Sequence, residues 1–451
     1  MFWRTWLLLL VGGGSLALVA CGSRTDVFEL DDDVPVVVAA DAGPDAKPKP
    51  KDAAPDAPVY VPTGKKCVRD ADASVPPIYF PNLDAGPAPN PRPPQLANHG
   101  GPVLGRPTIV PITYDGDTLR NEIEDFVASV GCTPYWLEAA KDYGVGMAIT
   151  GPAVHLSEAA PAKITDSQIK VWLRKKIESK EFPVPAGNVL YAIYYPATTS
   201  ISLQGEQSCQ TFGGYHYEVQ MTDGSSVPYA VLPRCDGFDG LGELDSVTGT
   251  SSHEFLEASS DPFPESDPTY SDPEPDGIAW ALASGGENAD MCTFNRDAFF
   301  TPDNYPFTVE RSWSNSAAFL GHDPCVPAVA GPYFGAAPTI TDTVPLDFGN
   351  GPKPVKGVKI PVGQSKVIDV VVFSTNGGGG AITIDLQDLG QWLGGGTTLK
   401  LSLDKTSAQP GEILHLTIQR TGTNNQFGVS PFMLQSHRAG RELSWYGIVG
   451  D

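Results

Sequence analysis

His253 and Glu257 stand four residues apart in Gly249-Thr-Ser-Ser-His-Glu-Phe-Leu-Glu-Ala-Ser-Ser-Asp-Pro262. On a helix that spacing stacks both side chains on one face, close enough to share a cation. Glu254 falls about 100° round the helix, beside that cation. This is the geometry of the HExxH zinc helix, in which two helix residues hold the metal and the intervening glutamate handles a water proton. Here Glu257 replaces the second histidine. A carboxylate is a legitimate zinc ligand, but its charge leaves the ion a weaker Lewis acid. Asp261 follows at the next i+4 step and offers a third ligand from the helix end. Pro262 gives Asp261 a second reading as a simple helix stop. An ordinary polar helix face is the alternative for the whole set.

The surroundings of this helix carry a resemblance. Downstream come Trp280, Glu287-Asn-Ala-Asp-Met-Cys292, Val309-Glu-Arg-Ser-Trp-Ser-Asn315 and Cys325, and upstream lies Cys209-Gln-Thr-Phe-Gly-Gly-Tyr-His216. The series resembles exported bacterial HExxE proteins similar to the plant phosphate-induced (Exordium-like) family. The likeness spans roughly Gly101 to Val326. This chain has Ser260 where the family usually has threonine and Asn288 where it often has isoleucine. The resemblance implies a zincin-like fold with His253 and Glu257 as metal ligands and Glu254 as general base. It draws the third ligand from Asp261, Asp290 or Glu287. His216 is then either a hydrogen-bond donor near the water or a surface histidine after a turn.

Several elements must position these residues. Pro107 to Tyr114 reads as a first strand, and Leu119 to Val130 as an amphipathic helix with Leu119, Ile123, Phe126, Val127 and Val130 inward. Tyr135–Tyr143 and Ser167–Ile177 are further helices. Val189–Tyr195 is a buried strand, with shorter strands at Tyr215–Val219 and Val227–Leu232. Leu241–Ser260 is the helix of the motif. Together these predict an α+β (zincin-like α/β) domain over residues 99–327. Trp280 and Trp313 read as core aromatics. Six acids and no base lie between Asp261 and Asp276, a possible Ca²⁺ loop or a plain acidic one.

Beyond residue 327 the rhythm changes. Strand-like segments recur at Thr339–Thr341, Val355–Val362, Lys366–Ser374, Ala381–Leu386, Thr398–Leu403, Ile413–Gln419, Val429–Gln435 and Leu443–Val449, separated by Gly/Pro turns. Regular strands without helices predict an all-β sandwich over residues 328–451. Leu401 to Arg420 resembles the immunoglobulin-like accessory modules of secreted bacterial enzymes. It holds no catalytic constellation.

The first twenty residues combine Arg4 with an apolar core and end in Leu18-Val19-Ala20-Cys21, which resembles a bacterial lipobox. That implies export, lipidation of Cys21, and a cell-envelope location with an outer-membrane anchor. Residues 21–98, rich in Pro, Ala and Asp, read as a disordered tether whose end docks on the domain. Six cysteines remain after Cys21. In an oxidising compartment they read as three disulfides. Proximity pairs Cys209 with Cys235 and Cys292 with Cys325, which leaves Cys67 with Cys132. The 53 acids against 30 bases, a net charge of -23, argue against nucleic acid as a partner.

Two functions follow from these features. One is a metal-dependent hydrolase, peptidase-like, acting through zinc on a peptide or cell-surface polymer. The other is a non-catalytic surface binding protein, with a zincin-like scaffold and the β-sandwich as recognition module.

Overall fold

The computed structural model describes residues 62–69, 74–82, 88, 90–185, 187–347, 351–375, 377–393, 396–423 and 427–451. The signal segment, Cys21 and most of the tether lie outside the described residues. A mixed α/β region comes first, and a largely β region follows.

The α/β region is built on one sheet. Its strands are β1 (Thr108–Thr113), β2 (Ile149–Thr150), β3 (Val154–His155), β4 (Val189–Tyr195), β5 (Tyr215–Gln220) and β6 (Ser226–Pro233). Their order is β2-β1-β4-β6-β5, and β3 also pairs with β1. The β1, β4 and β6 strands run parallel, and β5 adds an antiparallel edge. Both faces are covered, so β4 is apolar throughout rather than alternating.

Side-chain alternation divides the sheet between two cores. Ile109, Leu190, Ala192 and Tyr194 meet the helices α1 (Arg120–Ser129), α2 (Pro134–Ala140) and α4 (Glu243–Ser260). Val110, Ile112, Tyr191 and Ile193 meet Ile169, Leu173 and Ile177 of α3 (Asp166–Glu178) on the other face. The helix α3 opens with a capping box of Thr165 and Gln168, the exchange that satisfies two otherwise orphaned backbone donors.

The motif helix α4 is buried on nearly every side from Ser246 to Ser260. It is rich in small and hydroxyl residues, which lets other elements approach closely. A Cβ at Gly249 would meet the Phe299 ring at 2.8 Å. The buried serines keep their hydroxyls inside the helix. Ser251 donates to Val247 O at 2.6 Å, and Ser260 donates to Leu256 O at 3.0 Å. Such back-bonding satisfies these serine hydroxyls within α4.

Two short helices, α5 (Ile278–Ser284) and α6 (Asp290–Thr293), follow, and then the two-residue strand β7 (Val309–Glu310). The expected helices and strands fall within a few residues of their positions. The sequence rhythm did not reveal α5, α6 or β7, which are too short to show a period.

Among the described residues the β region holds a four-stranded and a five-stranded sheet around one apolar core, with Val370, Val372, Leu414 and Ile418 from the first and Ile384, Phe432, Leu434 and Val449 from the second, and a two-stranded ladder of Thr343–Leu346 with Lys353–Lys356 beside them. Two expectations shift here. The first strand is Phe334–Pro338 rather than Thr339–Thr341. The stretch expected as one strand over Val355–Val362 is broken into Lys353–Lys356 and Val358–Lys359, where a Cβ at Gly357 would strike Val344 and Ile448.

The two regions are not separate bodies. Val344, Val355, Met433, Tyr446 and Ile448 join the same core as α4 and α5. Trp280 meets Trp445 and Tyr446 edge-on, with ring centroids 5.4 and 5.5 Å apart. Trp280 and Trp313 are core aromatics, as expected.

The end of the tether was expected to dock on the domain. The described part of residues 62–98 is strapped to the α/β region. Its Cys67 bonds Cys132. Leu96 is buried, its N–H donates to Asn315 Oδ1 at 2.8 Å, and its carbonyl accepts from Asn315 Nδ2 at 3.0 Å. Trp313 Nε1 donates to Pro94 O at 3.1 Å. One disulfide and a few anchored side chains offset the ordering cost that composition alone made prohibitive.

Candidate metal centre

Three elements bring the motif residues together. The last two turns of α4 carry His253, Glu254, Glu257 and the capping residue Asp261. The edge strand β5 carries His216. Alternation sends Tyr215 and Val219 to the α3 face and His216 to the α4 face. The short helix α6 supplies Asp290 from its first position.

The disulfides hold these elements in place. Cys292 of α6 is bonded to Cys325, and Cys209 ahead of β5 is bonded to Cys235 after β6. All three pairs are those proximity suggested. Two glycines make the room. A Cβ at Gly285 would collide with the Asp290 carboxylate, and one at Gly214 would lie 3.0 Å from Glu254 Oε1.

The result is a buried polar constellation. His253 Nε2 lies 3.2 Å from Glu257 Oε2 and 3.5 Å from Asp290 Oδ1. His216 Nδ1 lies 3.5 Å from Glu254 Oε2 and 3.7 Å from Glu257 Oε2. Exposure is 5% at His253, 0% at Glu257, 2% at Asp290, 4% at His216 and 1% at Glu254. Two triads have ligand atoms within 4.8 Å of one another: His253 with Glu257 and Asp290, and His216 with Glu254 and Glu257.

His253 Nε2, His216 Nδ1 and Glu254 Oε2 are all buried atoms without a hydrogen bond. Buried polar atoms rarely stay that way. Histidine nitrogens facing carboxylate oxygens at these distances suit a divalent ion that takes nitrogen and oxygen ligands, so the residues fit a metal.

Glu310 was not foreseen. Its Oε2 lies 2.9 Å from His253 Nδ1, the ring nitrogen turned away from Glu257. Its Oε1 accepts from Thr293 Oγ1 at 2.8 Å, and its N–H donates to Ser252 Oγ at 2.8 Å. A carboxylate behind a ligating histidine fixes the tautomer and orientation of the ring. The available signal was a lone acid in the apolar-flanked run Phe307-Thr-Val-Glu310.

The remaining expected residues are placed differently. Asp261 caps α4, and its Oδ1 accepts from Thr269 N–H at 2.7 Å. The turn that stops the helix swings this carboxylate away from His253, so Asp261 joins neither triad. Glu287 Oε1 lies 3.8 Å from His216 Nε2 and also stands outside both triads. His216 is not a surface histidine, because β5 packs it against α4. The acids of the 261–276 loop do not converge. Glu265 faces Lys170, Asp272 faces His99 and Asp276 faces Lys356.

The electrostatics follow from burial. Burial lowers the His253 imidazole pKa, but Glu257, Glu310 and Asp290 outweigh it and hold it well above the ordinary value. His216 is raised in the same way, against the same desolvation, by Glu254 and Glu257. Burial pushes Glu254 up to about 7, with His216 and His253 pulling the other way. Without a cation, then, protons must neutralise this cluster.

No protein-family model and no curated protein matches the chain. Among solved structures, domains 4 and 5 of the S-layer protein SbsC align with 28% of this chain and 81% of their own length, at 17% identity and a TM-score of 0.16. A FixG-related protein from Vibrio parahaemolyticus aligns with 27% of this chain and 98% of its own, at 8% identity and a TM-score of 0.18. Scores this low assign no fold, and the functional reading rests on the site itself: a closed cluster of histidines and carboxylates able to hold a metal ion.

Proposed function

We propose that this chain is an exported surface protein whose α/β region holds a divalent metal ion on His253, Glu257 and Asp290, as a non-catalytic scaffold for binding. The observation that carries this reading is the burial of all three side chains around His253 Nε2, which makes no hydrogen bond. Three protein ligands leave a fourth position of a tetrahedral ion unfilled, but burial shields this group from solvent. The β region, fused through Trp280 and Trp445, is the recognition module in this reading, immunoglobulin-like in its sequence rhythm. The lipobox-like Cys21 supplies the membrane anchor. The three disulfides suit an oxidising compartment. Among the described residues no helix is long and apolar enough to cross a membrane.

Metal analysis of the purified full chain tests the reading. A stoichiometric transition metal is expected, and the ion on this triad is lost in His253→Ala. A metal-free wild type would overturn it.

A second reading is the peptidase-like hydrolase of the HExxE resemblance. It is favoured by Glu254, which stands beside the triad with its Oε2 facing His216. A bound zinc supplies Lewis acidity. Glu254 would accept the proton of a water molecule held next to it, and His216 would orient that carboxylate. Glu254→Gln should then retain the metal and abolish turnover of peptide substrates. Activity that survives the change removes Glu254 from the mechanism.

A further inference from the structure

The two triads share one residue, and this carries a further step that rests on the metal-binding reading above. We infer that the centre holds two divalent cations bridged by the Glu257 carboxylate, the second held by His216 and Glu254. Ligands of a single zinc-sized ion sit about 2.0–2.2 Å from it, so no two of them lie much more than about 4.4 Å apart. The candidate ligand atoms here separate into two groups, each within 4.8 Å, rather than gathering as one set of five. Glu257 belongs to both groups through one oxygen: its Oε2 lies 3.2 Å from His253 Nε2 and 3.7 Å from His216 Nδ1, while its Oε1 accepts from Ala289 N–H and Asp290 N–H at 3.3 and 3.1 Å.

The second triad has its own independent sign of a ligand. His216 is 4% exposed and Glu254 1% exposed, and His216 Nδ1 and Glu254 Oε2 are both buried without a hydrogen bond while facing each other. His216 is held in this direction by its strand and by its other nitrogen, Nε2, which lies 3.2 Å from Asp261 O. A donor bond from Nε2 to that carbonyl leaves Nδ1 as a lone-pair ligand, the tautomer a metal requires.

Charge points the same way. Glu254, Glu257, Asp261, Glu287, Asp290 and Glu310 are all buried in this part of the α/β region. Several like charges sharing a desolvated site need neutralisation, and two divalent ions supply twice what one does. Carboxylate-bridged pairs of ions are an established arrangement in proteins. In this arrangement Glu254 is a ligand and not a base, so the inference competes directly with the hydrolase reading.

The test is a count. The purified full chain is equilibrated with Zn²⁺, freed of loose ions and measured for bound zinc. The His216→Ala/His253→Ala double variant sets the background. About two ions per chain above that background are expected for wild type, and about one for either single variant. If wild type binds one ion and His216→Ala still binds one, the bridged pair is wrong and the single-ion reading stands. If wild type binds no more than the double variant, both fail. Should a variant misfold by circular dichroism, His216→Gln and His253→Gln replace the alanines, and wild type alone still separates one ion from two.

Discussion

The two regions of this molecule differ in how the charges they bury are answered. The β region encloses Val370, Leu414, Leu416, Ile418 and Leu434 in an apolar core, and the guanidinium it buries, Arg420, donates to Ile360 O at 2.9 Å and Asp451 Oδ1 at 2.7 Å. The α/β region has an apolar core of its own, yet it also buries His216, His253 and six carboxylates around α4. Apolar burial stabilises by roughly 25 cal/mol per Å² and requires nothing else. Buried ionisable groups cost free energy unless partners or a cation compensate them. The β region therefore needs no cation for its buried charge, while the α/β region carries a cluster that makes sense with an ion in it. The shared core at Trp280, Trp445 and Tyr446 ties the second to the first.

This contrast can be broken most severely at the ligands. Asp290→Ala and His253→Ala should each lose the ion held by His253, Glu257 and Asp290, read by metal analysis as one ion fewer per chain, while the β region stays folded. Retention of full metal content by Asp290→Ala would remove α6 from the centre.

The next largest effect belongs to the other region. Leu416→Ala should cost about 2–5 kcal/mol of stability through a cavity in the β core. Chemical denaturation measures the loss, and metal stoichiometry should not change. A fall in metal content would show that the two regions depend on each other more closely than their shared core implies.

Glu310→Gln probes the support of His253 and should weaken metal affinity by about 10–100-fold, measured by competition with a chelating dye. An unchanged affinity would make Glu310 a packing residue only.

A smaller effect comes from pH. Glu254 is raised from 4.5 to about 7 in the metal-free site, and His216 and His253 are raised as well. A group whose folded pKa is raised contributes stability below its unfolded value and loses it as pH rises through the folded one. Metal-free protein should therefore lose stability between about pH 4.5 and 7 as Glu254 ionises, and further as the histidines deprotonate. Metal affinity should rise over the same range, since the ligands must be free of protons. Thermal melts with and without chelator check this. A chelated protein whose melting point stays flat or rises with pH through that window contradicts the assignment.

Much of this arrangement was legible from spacing. The i, i+4 pair of His253 and Glu257 puts two candidate ligands on one helix face, and the cysteines pair as expected, two bridges by proximity and Cys67–Cys132 by elimination. The buried strand Val189–Tyr195 falls where its β-branched and aromatic run indicated. What spacing could not decide was the third ligand. Asp261, Glu287 and Asp290 were equivalent candidates until the cap of α4 turned Asp261 toward Thr269 and the Cys292–Cys325 bridge fixed α6. Glu310 was harder still, because it reaches His253 from a two-residue strand 57 positions away. Local periodicity carries no trace of such a contact. Composition signals disorder for residues 21–98, yet the described part of 62–98 is held by the Cys67–Cys132 bridge and the buried Leu96, in line with the docking expected for its end.

The central claim is that α4 and α6 hold a metal ion between them. Anomalous diffraction from crystals of the full chain, collected across a transition-metal absorption edge, tests it most directly. The account predicts an edge-dependent peak in bonding contact with His253 Nε2 and the carboxylates of Glu257 and Asp290. No peak there, with those atoms joined by water or by protons alone, would contradict it.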